Sequence, residues 1–269
     1  MDIKGFAKKS AIIIVLLVLA GAVGIVALGM QLADYANTPL NPRGQEKIVE
    51  ISRGKGLSAI AKDLENQGLL KHPTWLVVLA RVQKTDARIR AGEYALSPSM
   101  TPLEILDALV KGKTILYRLT VPEGVTMVQI ADLAAKAGFG PKDAFLAKAT
   151  DPAFAASLGV QQNTLEGYLF PDTYYFNKNE APEKVIQTMV RHFQTVFTPE
   201  WKARAEELGL TVHEVVTLAS IIEKETSAPE ERDLVSSVNH NRLKKGILLQ
   251  SDPTVIYGIP DFNGNITRK

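Results

Sequence analysis

Hydrophobic residues are distributed in two different ways along this 269-residue chain, and the pattern changes near residue 30. Residues 11–30 read AIIIVLLVLAGAVGIVALGM, in which 17 of 20 residues are hydrophobic and none is charged. At about 1.5 Å per residue, such a helix spans the roughly 30 Å hydrocarbon core of a bilayer. After this run, apolar residues recur at helical or strand spacing. The pattern therefore predicts a transmembrane anchor followed by a folded α+β region.

The charges on either side of the apolar run predict its orientation. Three lysines lie within residues 1–10, whereas the nearest charge after the run is Asp34. The positive-inside rule then places residues 1–10 in the cytoplasm and the rest of the chain outside. A cleaved signal peptide is the alternative, with Ala27 and Gly29 as small residues for a cleavage site, although its apolar part is usually only about 7–15 residues long. A buried core helix would instead need partners on all sides.

Composition narrows the classes of function. The formal charge is +2, from 31 basic and 29 acidic residues, and residues 1–10 contribute three lysines and one aspartate to it. The remainder is formally neutral, which argues against nucleic-acid binding. The chain has no cysteine and no HExxH, GxSxG or P-loop motif, so no metal or cofactor is predicted.

The first part after the apolar run predicts short strands and helices. Residues 35–47 are polar, with two prolines, and predict a linker. A capping box, Thr101 with Glu104, has Pro102 at the first helical position. The other predicted elements are a strand at 48–51, helices at 57–67 and 75–82, and a strand or turn at 92–94.

Part of this pattern recurs 70 residues later. Ile51, Gly54, Leu57, Ile60, Ala61 and Gly68 correspond to Val121, Gly124, Met127, Ile130, Ala131 and Gly138, and four of the six pairs are identical. The recurrence predicts a repeated strand–turn–helix unit, the form of small LysM-like glycan-binding domains. Such openings of helices are also common without any repeat.

The second part of the chain is predicted to be mainly helical. Its interruption at 165–176, LEGYLFPDTYYF, contains five aromatic residues, which suit either carbohydrate stacking or a core strand with a proline turn. Asp151 is predicted to cap the second helix, and residues 255–257 predict a strand. The predicted helices are at 142–149, 152–158, 182–197, 199–208, 212–226 and 228–245.

One glutamate in this part lies where a general acid could function. A capping box at 211–214 begins a helix in which Glu223 shares a stripe with apolar residues, whereas Glu225 lies on the opposite side. The apolar residues of the stripe are Val212, Val216 and Ala219. A partly desolvated carboxyl group has a raised pKa, which suits acid catalysis. Alternatively, Glu223 emerges into solvent near the helix end.

Polar residues follow in the next helix and loop. Ser227 and Glu230 predict a further capping box, and Gly246 is predicted to end the helix. Gln250, Ser251 and Asp252 cluster in the following loop, where they could bind a sugar or cap the loop. Asn239, Asn241 and Arg242 are unusual in the second half of the helix.

Three of these segments, in this order, resemble the YceG-like family of endolytic murein transglycosylases. They are LEGYLFPDTYYF at 165–176, LASIIEKETSAPEERDLVSSVNHNRL at 218–243 and LLQSDPTVIYG at 248–258. The pattern VxIxxGxxLxxIAxxL at 49–64 and AGEY at 91–94 agree as well.

The resemblance implies an enzyme that cuts nascent peptidoglycan strands between MurNAc and GlcNAc and leaves 1,6-anhydroMurNAc ends. The family's catalytic glutamate corresponds to Glu223. It acts as acid and then as base, without a second carboxylate. Matching positions in the motifs imply a substrate-binding role for Glu166, Tyr174, Asn241, Gln250 and Asp252. Peptidoglycan synthases are implied as partners.

The resemblance also implies a division of the chain. The expected parts are a cytoplasmic tail (1–10), an inner-membrane anchor (11–30), a linker (31–47), a LysM-like subdomain (48–115) and a periplasmic catalytic domain (116–269). Family members continue beyond the last motif, so the catalytic domain is expected to be incomplete here. A non-catalytic, membrane-anchored peptidoglycan-binding module and a secreted hydrolase are the alternatives.

Overall fold

The computed structural model describes residues 3–259, with side chains described from residue 15 onward. Within that range the fold is α+β, with mostly helical elements and two small sheets. Backbone contacts divide the chain into two units between Leu116 and Tyr117.

The first helix, α1, runs from Ile3 to Asn37. Its apolar side chains from Val15 to Met30 are exposed, so this is not a core helix of the described fold. Within its segment Val15–Asn37, which is long enough to cross a membrane, an 18-residue stretch has a mean hydropathy of 2.4. The helix continues through residues 31–37, which the sequence predicted as the first part of a linker at 31–47, because its last turns pack against the first unit.

The rest of the first unit has the order βααβα. Its elements are β1 (Lys47–Ile51), α2 (Leu57–Asn66), α3 (Pro73–Val82), β2 (Gly92–Leu96) and α4 (Pro102–Lys111). Strands β1 and β2 are antiparallel, with Lys47 opposite Leu96. Apolar faces of the three helices cover this two-stranded sheet and form one core, which also includes Ala36 of α1.

Local sequence signals confirm several predicted boundaries in this unit. The Thr101–Glu104 capping box is formed in both directions, because each backbone N–H donates to the other residue's side chain. Helix α2 begins at the predicted Leu57 and ends at Asn66, one residue before the prediction. Gly68 follows with φ +69°, a conformation that favours glycine.

The second unit contains two strands and eight helices in the described residues. They are β3 (Tyr117–Thr120), α5 (Met127–Lys136), α6 (Lys142–Ala149), α7 (Pro152–Ser157), β4 (Thr173–Phe176), α8 (Pro182–Val196), α9 (Pro199–Glu207), α10 (Val212–Glu225), α11 (Arg232–Lys244) and α12 (Asp252–Ile256). A 3-10 turn, Pro229–Glu231, precedes α11.

The aromatic segment at 165–176 contributes mainly to the core of this unit. Strand β4 pairs antiparallel with β3, and Tyr168, Tyr174 and Phe176 are buried. Tyr175, by contrast, is 60% exposed, as expected for alternate faces of a strand. The core-strand interpretation is therefore the one that the structure supports.

Two predictions near the end of the described chain are wrong. Residues 255–257 are not a strand: α12 covers residues up to Ile256, because Asp252 and Pro253 favour a first helical turn. Three apolar residues alone do not distinguish these alternatives. Nor does Ser227 form a capping box, since the hydroxyl of the buried Thr226 accepts from the Ala228 N–H and donates to Glu231.

Candidate active site

Glu223 lies near the end of α10, where the helix face that packs against the core becomes exposed to solvent. Val212 and Val216 pack against the core of the second unit, but Ala219 is exposed. The predicted apolar stripe is thus only half buried. The Glu223 side chain is 31% exposed, so its carboxylate remains accessible while part of it is covered.

The covering surface includes the loop that enters α5. A Cβ placed on Gly124 would lie 3.6 Å from Cγ of Glu223 and 3.8 Å from its Oε1. Gly124 also has φ +70°, where residues other than glycine are strained. The turn therefore leaves a space beside the Glu223 side chain that a Cβ would fill in van der Waals contact.

Arg232, the first residue of α11, holds the carboxylate from another side. Its Nη2 lies 3.0 Å from Oε2 of Glu223 and 3.4 Å from Oε2 of Glu123. Arg232 Nε is buried and has no hydrogen-bond partner among the described residues. Sequence reasoning did not single out Arg232 or Glu123, because 109 positions separate them.

Glu166 organises the other end of the same loop. Both of its carboxylate oxygens accept the Met127 N–H at 3.1 Å, which caps the start of α5. The Tyr257 hydroxyl donates to Glu166 Oε2, also at 3.1 Å. Partial burial, followed by the Glu166 charge and hydrogen bond, raises the pKa of Tyr257.

Glu223 and Glu166 therefore both approach the same short segment, residues 124–127. Glu223 contacts it at Gly124, and Glu166 binds it at Met127, three residues later. The sequence predicted both glutamates as site residues, but it did not indicate that the entry of α5 joins them.

The loop after α11 is held by side chains that approach it from two helices. The buried Ser251 donates to Oε1 of Glu225, which lies two residues after Glu223. Arg242 donates to the carbonyls of Leu248 and Leu249. Ser251 and Arg242 thus fix the backbone of the predicted binding loop.

The remaining predicted site residues have different environments. Asn241, Gln250 and Asp252 are exposed, and Gln250 has φ +52°. Tyr174 is buried, and its hydroxyl donates to the Phe170 carbonyl at 2.6 Å. Burial raises the pKa of Tyr174. The Tyr174 hydroxyl therefore forms a hydrogen bond inside the protein and does not face solvent.

Comparisons with known proteins agree with these observations. Residues 49–269 match the YceG-like family. A Streptococcus pneumoniae protein named endolytic murein transglycosylase is 32% identical over 85% of the chain, and a Bacillus subtilis protein of the same name is 31% identical over 78%. The chain spans 46% and 62% of the length of these two relatives.

A solved structure is similar as well. The crystal structure of a YceG-like protein from Listeria monocytogenes has a TM-score of 0.52 and 30% sequence identity, covering 83% of this chain and 78% of that one. The match of residues 49–269 accounts for most of both units, including every candidate site residue described above. The chain belongs to the YceG-like family.

Proposed function

We propose that the chain is an endolytic lytic transglycosylase of peptidoglycan that cleaves between MurNAc and GlcNAc and leaves 1,6-anhydroMurNAc ends. The names of the relatives support this reaction. The observation that carries it is the position of Glu223, a partly covered carboxylate beside the Gly124 turn and paired with Arg232.

Glu223 alone carries the proton transfers in this proposal. Its carboxylic acid protonates the glycosidic oxygen as the bond to C1 of MurNAc breaks. The resulting carboxylate then removes the proton from the C6 hydroxyl, whose oxygen bonds to C1 and closes the anhydro ring. The protonated acid is thereby regenerated, and neither water nor a second carboxylate is consumed.

Arg232 has a positioning role in the same scheme. Its guanidinium pairs with the ionised carboxylate, which is the form that functions as base. Protonation of the leaving oxygen requires the neutral acid. The approach of the glycan must therefore weaken this ion pair before bond cleavage.

The other site residues shape the cleft around Glu223. Glu166 fixes the loop that contacts Glu223 and positions Tyr257 beside it. Asn241, Gln250 and Asp252 have exposed polar groups for sugar hydroxyls, and Tyr174 supports the cleft from the core.

In this proposal the activity lies at a membrane, which the apolar helix of the first unit supports. Residues 11–30 anchor the chain in the inner membrane, with residues 1–10 in the cytoplasm and the catalytic domain at 116–269 in the periplasm. The charges of the tail and the exposed apolar helix support this arrangement. Residues 48–115 contain a βααβ order, followed by α4, and this order suits a LysM-like glycan-binding subdomain near peptidoglycan synthases.

The full chain in detergent, incubated with uncrosslinked glycan strands, tests the reaction. Mass spectrometry should detect anhydroMurNAc-ended fragments, and Glu223→Gln should reduce their rate by about 10²–10⁴-fold. Glu230→Gln, an exposed glutamate in the 3-10 turn, is the matched control. Reducing ends would indicate a hydrolase, and binding without cleavage a non-catalytic module; either result overturns the proposal.

A further inference from the structure

A cleft with a volume of about 460 Å³ lies at the end of α1, beside the turn that precedes α3. Its polar lining residues are Gln31, Asp34, Tyr35, Thr38, Lys71 and His72. The ring of Trp75 completes it, with its centroid 6.4 Å from that of Tyr35 and the two planes tilted by 33°. None of these residues belongs to the candidate active site.

The position of the cleft along α1 indicates what surrounds it. Gln31 directly follows Met30, where the apolar run ends. At 1.5 Å per residue, residues 31–38 occupy about the first 12 Å beyond the hydrocarbon core. The headgroup layer on each side is roughly 5–8 Å deep, so residues 31–35 lie within it, and tyrosine and tryptophan are enriched there. The inference therefore rests on the membrane anchoring proposed above.

Tyr35, which lines the cleft, has a hydrogen-bond donor without a partner in the part of the chain that the structure describes. The Tyr35 hydroxyl is buried and has no partner among the described residues. A buried donor without an acceptor costs stability, so an acceptor supplied by a ligand would be favoured. His72, beside it, has φ +52°, and such strained residues are concentrated at functional sites.

The charges that line the cleft have both signs. Lys71 supplies a cation and Asp34 an anion, and both side chains belong to exposed residues. The paired aromatic rings add faces that attract a cation. A purely anionic ligand would use only the positive half of this surface.

We propose that the cleft binds the headgroup of a zwitterionic aminophospholipid. The phosphate accepts hydrogen bonds from the exposed Lys71 ammonium group and, once the Tyr35 side chain turns towards the cleft, from the Tyr35 hydroxyl. The primary ammonium group of the lipid faces Asp34 and the ring of Trp75. The bound lipid thereby joins the end of the anchor to the first unit.

Tryptophan fluorescence of the full chain in detergent can report this binding. The chain has two tryptophans, so Trp201→Phe leaves Trp75 as the only one. Phosphatidylethanolamine should change the Trp75 emission and bind at least about fivefold more tightly than phosphatidylglycerol with the same acyl chains. Tyr35→Phe should weaken binding about tenfold, and Lys71→Ala about three- to tenfold.

Two control variants separate this effect from general loss of structure. Tyr175→Phe and Lys62→Ala make the same changes at exposed positions outside the cleft and should leave the affinity unchanged. Tyr35→Phe should not lower the melting temperature of the lipid-free protein, because it removes an unpaired buried hydroxyl. Weaker lipid binding by Tyr35→Phe without lower stability would indicate that Tyr35 binds the ligand and does not merely support the fold.

Other results would overturn the inference. Equal affinity for both lipids would exclude the zwitterionic headgroup, and a response that is insensitive to Tyr35→Phe and Lys71→Ala would exclude the cleft. A response to soluble glycan fragments instead of lipid would assign the cleft to sugars. Glycan cleavage by the same preparation, with and without Glu223→Gln, separately tests the transglycosylase proposal.

Discussion

Arg232 Nη2 lies 3.0 Å from Oε2 of Glu223, and the same nitrogen lies 3.4 Å from Oε2 of Glu123. One guanidinium group therefore joins the end of α10, the start of α11 and the loop before α5. This contact joins the proposed acid–base group to the start of the next helix and, through Glu123, to a loop that is 109 positions from Arg232.

Loss of this guanidinium should impair catalysis more than substrate binding. In Arg232→Ala, the Glu223 carboxylate is no longer fixed, and we expect kcat to fall about 10- to 100-fold with a smaller change in KM. Arg232→Lys retains the charge but not the forked geometry, so it should recover only part of the rate. The measurement is the rate of anhydroMurNAc formation.

The control for Arg232 is Arg204→Ala, because Arg204 forms an exposed ion pair with Glu207. It removes the same charge from the second unit and should leave kcat unchanged. If Arg232→Ala matched this control in kcat, the positioning role would be wrong.

The close approach at Gly124 can be isolated by a pair of alanine substitutions. Gly124→Ala and Gly54→Ala both place a Cβ at positive φ, +70° and +77° respectively, so both should lose roughly 1–2 kcal/mol in the free energy of unfolding. Only the Cβ at position 124 meets Glu223, since nothing lies within 4 Å of a Cβ at position 54.

Activity should therefore distinguish two variants of similar stability. Because the added methyl group would contact Glu223 and restrict its side chain, we expect Gly124→Ala to lose about two- to tenfold in kcat, and Gly54→Ala to lose little once compared at equal folded fraction. Chemical denaturation and the cleavage assay provide the two values. Equal residual activities would show that the contact with Glu223 has no role in catalysis.

The Tyr257–Glu166 hydrogen bond predicts that the pKa of Tyr257 changes when Glu166 is substituted. Because partial burial and then the Glu166 carboxylate raise the pKa of Tyr257, Glu166→Gln should lower that pKa towards its ordinary value of about 10. Ultraviolet difference spectra can follow the phenolate, with Tyr257→Phe identifying its signal. A pKa that is unchanged in Glu166→Gln would contradict the observed contact.

The same raised pKa of Tyr257 predicts how the stability of the protein changes at alkaline pH. In the unfolded chain Tyr257 loses its proton near pH 10, whereas in the folded chain it retains the proton to higher pH. Its contribution to stability is therefore complete below about pH 10 and is lost as the pH rises through the folded value. Tyr257→Phe should make this alkaline decline less steep in urea denaturation.

The turn before α11 provides a prediction about stability alone. The Thr226 hydroxyl, in a residue that is only 8% exposed, bonds to both Ala228 and Glu231. Thr226→Ala should reduce the free energy of unfolding by about 1–2 kcal/mol, as for loss of a capping side chain. Ser227→Ala, one residue later and exposed, should be nearly neutral.

Helix starts that depend on a capping residue within a few positions were predictable from the sequence. The capping boxes at Thr101 and Thr211 and the cap at Asp151 are all formed as expected. The exception, Ser227, shows the limit of this approach. A neighbouring threonine with the same hydroxyl took its place because it is buried against Glu231.

Contacts between distant segments were not predictable in the same way. The motifs indicated Glu223 and Glu166, but periodicity carries no information that Arg232 reaches Glu223 or that Glu166 caps α5. These contacts depend on how α5, α10 and α11 pack. The stripe on α10 likewise misplaced Ala219, which lies beyond the edge of the core.

The continuity of α1 has a mechanical consequence. The helix is uninterrupted from Ile3 to Asn37, and its last turns, through Leu32 and Ala36, pack into the core of the first unit. In a bilayer, any tilt of this helix would rotate the packed unit by the same angle. A thinner bilayer favours greater tilt. Membrane thickness would thus set the angle at which residues 47–111 stand over the lipid surface.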